Sequence, residues 1–492
     1  MTTETIDYSG IDALVMGLGI NGGGLESAKF LAKHGAKLTV TDLRSAEILQ
    51  ASITALDEFV GSINAAPVRY VLGHHEIDDF KSADLVIKNP GVPPSSPFLQ
   101  AAKTGAIETD ISLFLKYNPA RLSAVTGSKG KSFITSAIYY ALNLVHTKKM
   151  KSKQLASSLD QSDFCSRAYI GGNITVSPLT FLEKLTANDD VVLELSSWQL
   201  GDIKNVALKP RVAVLSSIMK DHQDRYGNME SYVADKRIIY ECQDETCATV
   251  AQNDEWGRSF LSQTKAKKYL YSNTDMSKNI NGAYLKDGEG IASGQIGLLN
   301  GSCVVVPKIT RVQGVHQKTN LLAASLCLLE LGVPPDFIRE CNAEFPGIEH
   351  RLELFFENGG IKFYNDTAAT IPEAAACAIE ALENAVLITG GTDKDLDFAP
   401  FIKAAHKAKK IILLEGSAQN KIIDGLRHKN IRYSGPFASL DAALNCALEN
   451  AESRDSVVLS PGCASFGMFI NEFDRGRKWK EAVRRKYSVA LP

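Results

Sequence analysis

Short apolar, β-branched runs alternate along the whole chain with stretches whose apolar residues recur every three or four positions. The first pattern predicts buried strands and the second amphipathic helices. Their alternation predicts α/β domains with mainly parallel sheets. A strand is expected at 13–16, then a glycine turn, a helix, and a second strand ending at 41–42. The run "ADLVIKNPGVPP" should stop as a strand at Pro90, which cannot donate to a ladder. "RLSAV", "TGSKGKS" and "FITSAIYYALNLV" read in order as strand, turn and helix. "HQKTNLLAASLCLLELG" continues a long helical stretch, and "KFYND", "AVLITGG", "KIILLEG" and "SVVLSPG" read as strands. No internal repeat is present.

Breaks in this pattern divide the 492 residues into segments 1–118, 119–347 and 348–492, in keeping with roughly 150 residues per domain. The polar, basic stretch 146–163, "HTKKMKSKQLASSLDQSD", reads as a solvated excursion between a helix and the next strand.

Composition narrows the function class. Hydrophobic residues make up 45%, charged residues 22%, and the net charge is −2. No global field steers such a chain toward nucleic acid or an acidic membrane. No apolar run approaches the roughly 18 residues of a membrane span. The opening "MTTETIDYSG" lacks the basic and apolar regions of an export signal. The nine cysteines include no C-x-x-C, and the closest pair is Cys242 and Cys247. Neither zinc ligation nor a disulfide scaffold is expected, and the compartment reads as cytoplasmic.

The chemistry concentrates in "AVTGSKGKSFIT", 124–135. A glycine turn between a strand and a helix presents successive N–H groups, with the positive helix end behind them, to an anion. Thr126, Gly127, Ser128, Lys129 and Gly130 form that cradle. Lys131 can reach terminal phosphate oxygens, and the Ser132 hydroxyl is placed for Mg²⁺. The full phosphate-loop pattern wants a glycine where Val125 stands. Glu194 and His222 also fall just after strands, where α/β sheets gather ligands. Alone, each would read as a surface or structural residue; with Ser132 they make a metal–nucleotide site.

The ordered motifs "TGSKGKS", "GGNI", "ELSSWQL", "DHQDRYG", "ADKRIIY", "EHRLEL", "YNDTAAT", "GGTDKDLDF" and "LSPGCASFGMFINEFDRGRKW" resemble the Mur ligase family. The last is most similar to the branch that adds D-glutamate. The resemblance implies three domains: a Rossmann-like UDP-sugar domain, a central phosphate-loop ATPase-like domain and a Rossmann-like amino-acid domain. It implies an ATP-dependent ligase that joins D-glutamate to UDP-N-acetylmuramoyl-L-alanine through an acyl phosphate, acting as a monomer with two Mg²⁺ ions. A sister ligase for L-glutamate or another amino acid, and a silent UDP-sugar-binding protein, are the alternatives.

By position, the resemblance assigns Lys131, His222 and Lys236 to catalysis and Ser132, Glu194, His222 and Lys236 to the metal site. Lys236 would be carbamylated. Asn320, Arg351 and Asp366 would contact ATP. Gly19, Asp42, Arg44 and Asn173 would contact the UDP-sugar, and Thr370, Lys394 and Ser465 the incoming glutamate. Two departures stand out: Gln317 where many members have asparagine, and Ala368 where many glutamate-adding members have lysine.

One rival survives on spacing. Gly17, Gly19 and Gly22, with Asp42 ending the next strand, match the G-x-G-x-x-G fingerprint of an NAD-binding unit. A dehydrogenase would leave residues 120–492 unexplained.

Overall fold

The computed structural model describes residues 6–19, 23–151, 167–174, 176–221, 223–276, 281–465 and 467–488. They form two compact units, Met1–Val305 with Asn320–Arg339, and Val306–Thr319 with Glu340–Pro492. The first unit carries two sheets and the second carries one.

The first sheet has strands β1 (Asp12–Met16), β2 (Lys37–Asp42), β3 (Arg69–Leu72), β4 (Leu85–Lys88) and β5 (Ile107–Glu108), in the order β3-β2-β1-β4-β5. All its pairings are parallel. The order reverses between β1 and β4, so the chain leaves these two strands in opposite directions and opens a crevice at their carboxyl ends. The strand that "ADLVIKNPGVPP" predicted ends at Lys88, two residues before Pro90.

The second sheet contains β6 (Arg121–Thr126), β7 (Ala168–Gly172), β8 (Asp190–Glu194), β9 (Val212–Leu215), β10 (Ala248–Gln252), β11 (Lys267–Ser272), β12 (Gly282–Lys286), β13 (Glu289–Ile296) and β14 (Leu299–Val306). Its order is β14-β13-β12-β11-β10-β9-β6-β8-β7. Strands β8 and β9 are buried throughout, as expected of parallel strands covered on both faces. Val125 pairs with Glu194 and Thr126 with Leu215, which brings the carboxyl ends of β6, β8 and β9 to one edge. The stretch from β12 to β14 is an antiparallel extension that hydrophobic periodicity did not single out; β12 and β13 pair antiparallel.

The helix after β6 runs Lys131–Lys151 and so enters the stretch expected to be an excursion. Once nucleated, a helix adds one hydrogen bond per residue fixed, and propagation carries it past the first polar residues. Residues 152–166 lie outside the described chain.

Within the first unit the two sheets are joined by a buried ion pair, Lys88 Nζ to Asp202 Oδ2 at 2.5 Å. Burial pushes the lysine pKa down and the aspartate pKa up. Beside it the Arg225 guanidinium stacks 4.2 Å above the Trp198 ring.

The third sheet has β15 (Glu353–Asn358), β16 (Ile361–Asn365), β17 (Ala385–Thr389), β18 (Lys410–Leu414), β19 (Tyr433–Phe437) and β20 (Ser456–Leu459), in the order β15-β16-β20-β17-β18-β19. Only β15 pairs antiparallel. The helix Glu472–Lys486 lies against this sheet through Trp479, which is fully buried and donates its indole N–H to the Tyr364 carbonyl at 3.0 Å.

Candidate active site

The turn after β6 depends on two glycines. Gly127 has φ +140°, and a Cβ there would lie 1.9 Å from Ser216 Oγ. Gly130 has φ +91°, and a Cβ there would lie 2.7 Å from Asn320 Oδ1. Asn320 therefore sits against the loop that the sequence assigned to phosphate. Ser128 fastens the loop: its N–H donates to the Ser217 carbonyl at 2.8 Å, its Oγ accepts from Met219 N at 2.9 Å, and it shares a 2.8 Å bond with the Tyr232 hydroxyl. Thr126 is buried and donates to the Leu195 carbonyl at 2.7 Å. Lys129 is exposed, and Ser132 is half-buried in the first turn of the helix.

Lys131 Nζ folds back to the Gly127 and Ser128 carbonyls, each at 3.1 Å. Lys236, on the helix Met229–Glu241, is 1% exposed and donates to the same Gly127 carbonyl at 2.9 Å. Burial, with Lys131 adding repulsion, pushes the Lys236 ammonium down to about 7. No carboxylate of the described residues lies within ion-pair distance of Lys236.

Glu194 ends β8 and is 1% exposed. Its Oε1 accepts from Asn173 Nδ2 at 2.8 Å, and Asn173 N donates to the Glu194 carbonyl at 2.8 Å. This clasp needs glycine before it, because a Cβ on Gly172 would lie 2.2 Å from the Glu194 carbonyl oxygen. Glu194 Oε2 is buried and has no partner among the described residues. A buried carboxylate oxygen left without a donor is costly unless something positive meets it. A hard divalent cation suits that oxygen and the Ser132 hydroxyl. His222 lies outside the described residues.

At the first sheet's reversal point a cavity of 180 Å³ is lined by Met16, Gly17, Lys88, Asn89, Asp110 and Asn173, among others. It joins the glycine turn to Asn173, and thus to Glu194. Asp42 is buried and accepts from the backbone N–H of Gly19 at 3.1 Å and of Arg44 at 2.9 Å. The half-exposed Arg44 guanidinium lies 3.9 Å from the same carboxylate. Gly22 lies outside the described residues. Sequence reasoning missed Asp110 and Ser177, which also line the cavity. Ser177 Oγ donates to Asp110 at 3.1 Å, and burial raises the carboxyl pKa. Asp110 resembled an ordinary acid in the first turn of a helix, so no local signal marked it.

In the second unit the predicted glutamate contacts lie on three loops after the carboxyl ends of β16, β17 and β20. Thr370 is half-buried, Lys394 exposed and Ser465 buried. The loops are tied by backbone bonds: Thr392 and Ala464 exchange two, at 3.0 and 3.1 Å, and Gly462 N donates to the Ala369 carbonyl at 2.8 Å. Asp393 and Asp395, flanking Lys394, both pair with Lys421. Ala368 is half-buried and its N–H donates to the His350 carbonyl at 2.9 Å. Gln317 is buried, and its Oε1 has no partner among the described residues. Arg351 is exposed. Asp366 is buried and accepts from Ser460 Oγ at 2.6 Å and from Leu352 N at 2.9 Å. Burial nevertheless raises its carboxyl to about 7.

Three family models match in order: the Mur ligase MurD-like N-terminal domain over 12–109, the Mur ligase middle domain over 125–328, and the glutamate ligase domain over 350–463. The chain belongs to the Mur ligase family. Curated relatives named UDP-N-acetylmuramoylalanine--D-glutamate ligase include those of Borreliella afzelii (39% identical, covering 97% of this chain and 98% of the relative) and Treponema pallidum (35%, 96% and 97%). That of Roseiflexus is 36% identical, covering 97% and 99%. Among solved structures, the UDP-N-acetylmuramate-alanine ligase MurC of Thermotoga maritima is similar at 18% identity and TM-score 0.57, covering 97% of this chain and all of that one. The MurF ligase of Thermotoga maritima, solved with ADP, is similar at 15% and 0.53, covering 99% and 96%. The fold is thus the three-domain α/β Mur ligase fold. Mur ligases use ATP and Mg²⁺. Membership sets aside the dehydrogenase, since the glycine turn lies within the MurD-like N-terminal match. Among the described residues no helix is long and apolar enough to cross a membrane.

The raised Asp366 pKa has a signed consequence. Between the unfolded value of about 3.9 and the folded value of about 7, the native state holds a proton that the unfolded chain lacks. Stability from this group is full below pH 4 and falls as pH rises through 7. The unfolding midpoint of the wild type, measured against Asp366→Asn from pH 4 to 8, should decline relative to the variant and level off above pH 7. A flat difference would contradict the burial argument.

Proposed function

We propose that the protein is an ATP-dependent ligase that adds D-glutamate to UDP-N-acetylmuramoyl-L-alanine, in the making of peptidoglycan precursors. Full-length likeness to ligases of that name supports the substrates. The observation that carries the chemistry is the convergence at one sheet edge of the glycine loop, two lysine ammonium groups on the Gly127 carbonyl, and the unpartnered Glu194 oxygen.

Joining a carboxylate to an amine requires a leaving group on the carboxylate. The substrate carboxylate attacks the γ-phosphorus of ATP, the bond to the β–γ bridging oxygen breaks, and ADP leaves. The glutamate amine then attacks the acyl carbon, loses a proton, and the tetrahedral intermediate expels phosphate. In this scheme Lys131 and the loop N–H groups hold the phosphates, and Lys131 offsets the repulsion as two anions approach. Asn320 backs the loop, and Arg351 and Asp366 contact the nucleotide. Ser132 and Glu194, with His222, would hold Mg²⁺, which neutralises phosphate charge when bound. Gly19, Asp42 and Arg44 hold the UDP-sugar together with Asn173, which lines the 180 Å³ cavity. Lys394 pairs with a glutamate carboxylate, and Thr370 and Ser465 orient the amino acid. We read the enzyme as a cytoplasmic monomer with two metal ions.

Lys236 is proposed to be carbamylated. Its Nζ is buried beside a carbonyl with no carboxylate partner, so an ammonium there is disfavoured. Addition of CO₂ to the neutral amine forms an N–C bond and releases one proton, turning a disfavoured cation into an anion beside the metal residues.

The test of the reading is ADP release and product formation with UDP-N-acetylmuramoyl-L-alanine, ATP, Mg²⁺ and a panel of amino acids of both hands. D-Glutamate should be the preferred acceptor; turnover with another amino acid instead would replace the assignment. Lys131→Ala should lower ADP release by about a hundredfold or more, and near-normal turnover would remove Lys131 from the site. Lys394→Ala should raise the KM for glutamate about tenfold or more with little change in the KM for ATP; equal effects on both would reassign it. Lys236→Ala should be inactive and partly restored by short-chain carboxylates, whereas an unimpaired variant would refute the carbamate.

A further inference from the structure

Arg475 carries no assigned role, yet it is the most completely buried cation of the second unit, at 1% exposure. It lies in the first turn of the helix Glu472–Lys486. Its Nε donates to Thr367 Oγ1 at 2.9 Å, one terminal nitrogen donates to the Thr367 carbonyl at 3.0 Å, and the other donates to the Cys463 carbonyl at 3.2 Å. Every one of these acceptors is neutral. No carboxylate of the described residues lies within ion-pair distance of the guanidinium. Burial lowers its pKa to about 10, which leaves it charged at neutral pH.

The third loop reaches it as well. A Cβ placed on Gly391 would lie 3.6 Å from the guanidinium nitrogen that binds Cys463. Thr367, Gly391 and Cys463 stand on the three loops that end in Thr370, Lys394 and Ser465. Each predicted glutamate contact is thus two or three residues beyond a residue packed on Arg475. The next residue, Gly476, lets the helix come this close: a Cβ there would lie 2.5 Å from Thr367 Cγ2 and 2.4 Å from His350 Nδ1.

A buried cation with only neutral partners is costly by itself. The cost is offset when an anion binds nearby, because the surrounding protein screens poorly. The amino acid of the proposed reaction carries two carboxylates. We propose that Arg475 is the positioning residue of the glutamate site: it sets the spacing of the three loops through its fork of hydrogen bonds and supplies a fixed positive potential behind them, which favours a dicarboxylic amino acid. It does not touch the substrate. The proposal rests on the ligase reading given above.

The experiment compares the KM for D-glutamate, the KM for ATP and kcat in ADP release for the wild type, Arg475→Met, Arg475→Lys and Thr367→Val. Arg475→Met should raise the KM for glutamate about tenfold or more while the KM for ATP stays within about twofold. Arg475→Lys, which keeps the charge but loses the fork, should recover part of that loss. Thr367→Val removes one acceptor and should raise the KM for glutamate about threefold; it also serves if Arg475→Met does not fold. An active wild type beside an Arg475→Met, or failing that a Thr367→Val, whose KM for glutamate is unchanged would overturn this proposal alone, as would a matching rise in the KM for ATP. A wild type that releases no ADP with D-glutamate would overturn the ligase reading and this proposal together.

Discussion

Two ammonium groups, Lys131 Nζ and Lys236 Nζ, converge on one carbonyl oxygen, that of Gly127. Burial, with Lys131 adding repulsion, lowers the pKa of the Lys236 ammonium at that oxygen. The rest of the site is arranged around it. The left-handed turn at Gly127 aims the carbonyl inward, Ser216 leaves no room for a side chain there, and Ser128 is fastened so that the loop cannot turn away. At the end of the neighbouring strand β8, Glu194 presents an oxygen with the opposite deficiency. A buried Lys236 ammonium with no carboxylate partner among the described residues, beside a carboxylate oxygen with no donor, is an arrangement that phosphate and a divalent ion would complete together.

The same physics recurs in the second unit. Arg475 is buried with neutral partners only, behind the loops of Thr370, Lys394 and Ser465. Both units therefore hold a buried cation, Lys236 in the first and Arg475 in the second, with no carboxylate of the described residues within ion-pair distance. Such charges lower stability in the free protein and strengthen the binding of anions, which all three proposed substrates are. The first sheet works differently. There Asp42 caps the N–H groups of Gly19 and Arg44, and the crevice at the β1–β4 reversal supplies shape and polar groups.

Much of this was legible beforehand because the motifs are local. A strand, a glycine turn and a helix lie within a dozen residues at 124–135, and their anion-binding geometry follows from backbone conformation alone. The strands of "AVLITGG", "KIILLEG" and "SVVLSPG" were equally readable, since central parallel strands are nearly all apolar. The antiparallel extension from β12 to β14 was not, because its glycines and alternating polar residues blur the period. Asp110 and Ser177 lie in separate motifs and meet only in the cavity. Arg475 looked like one more cation in a basic helix, "FDRGRKWKEAVRRK", until packing buried it while leaving Arg477, Lys478, Arg485 and Lys486 exposed.

The amino-acid sequence by itself determined which residues can form the phosphate turn, where strands end, and that the chain resembles ligases of one family. Those properties depend on covalent order and short-range backbone preference, which a linear string records. Tertiary structure decided which charges are compensated. Whether Lys236 finds a carboxylate, whether Glu194 keeps an oxygen unpartnered, and whether Arg475 sees water depend on neighbours tens to hundreds of residues away. Electrostatic energy inside a protein is set by distance and burial, and neither is written along the chain.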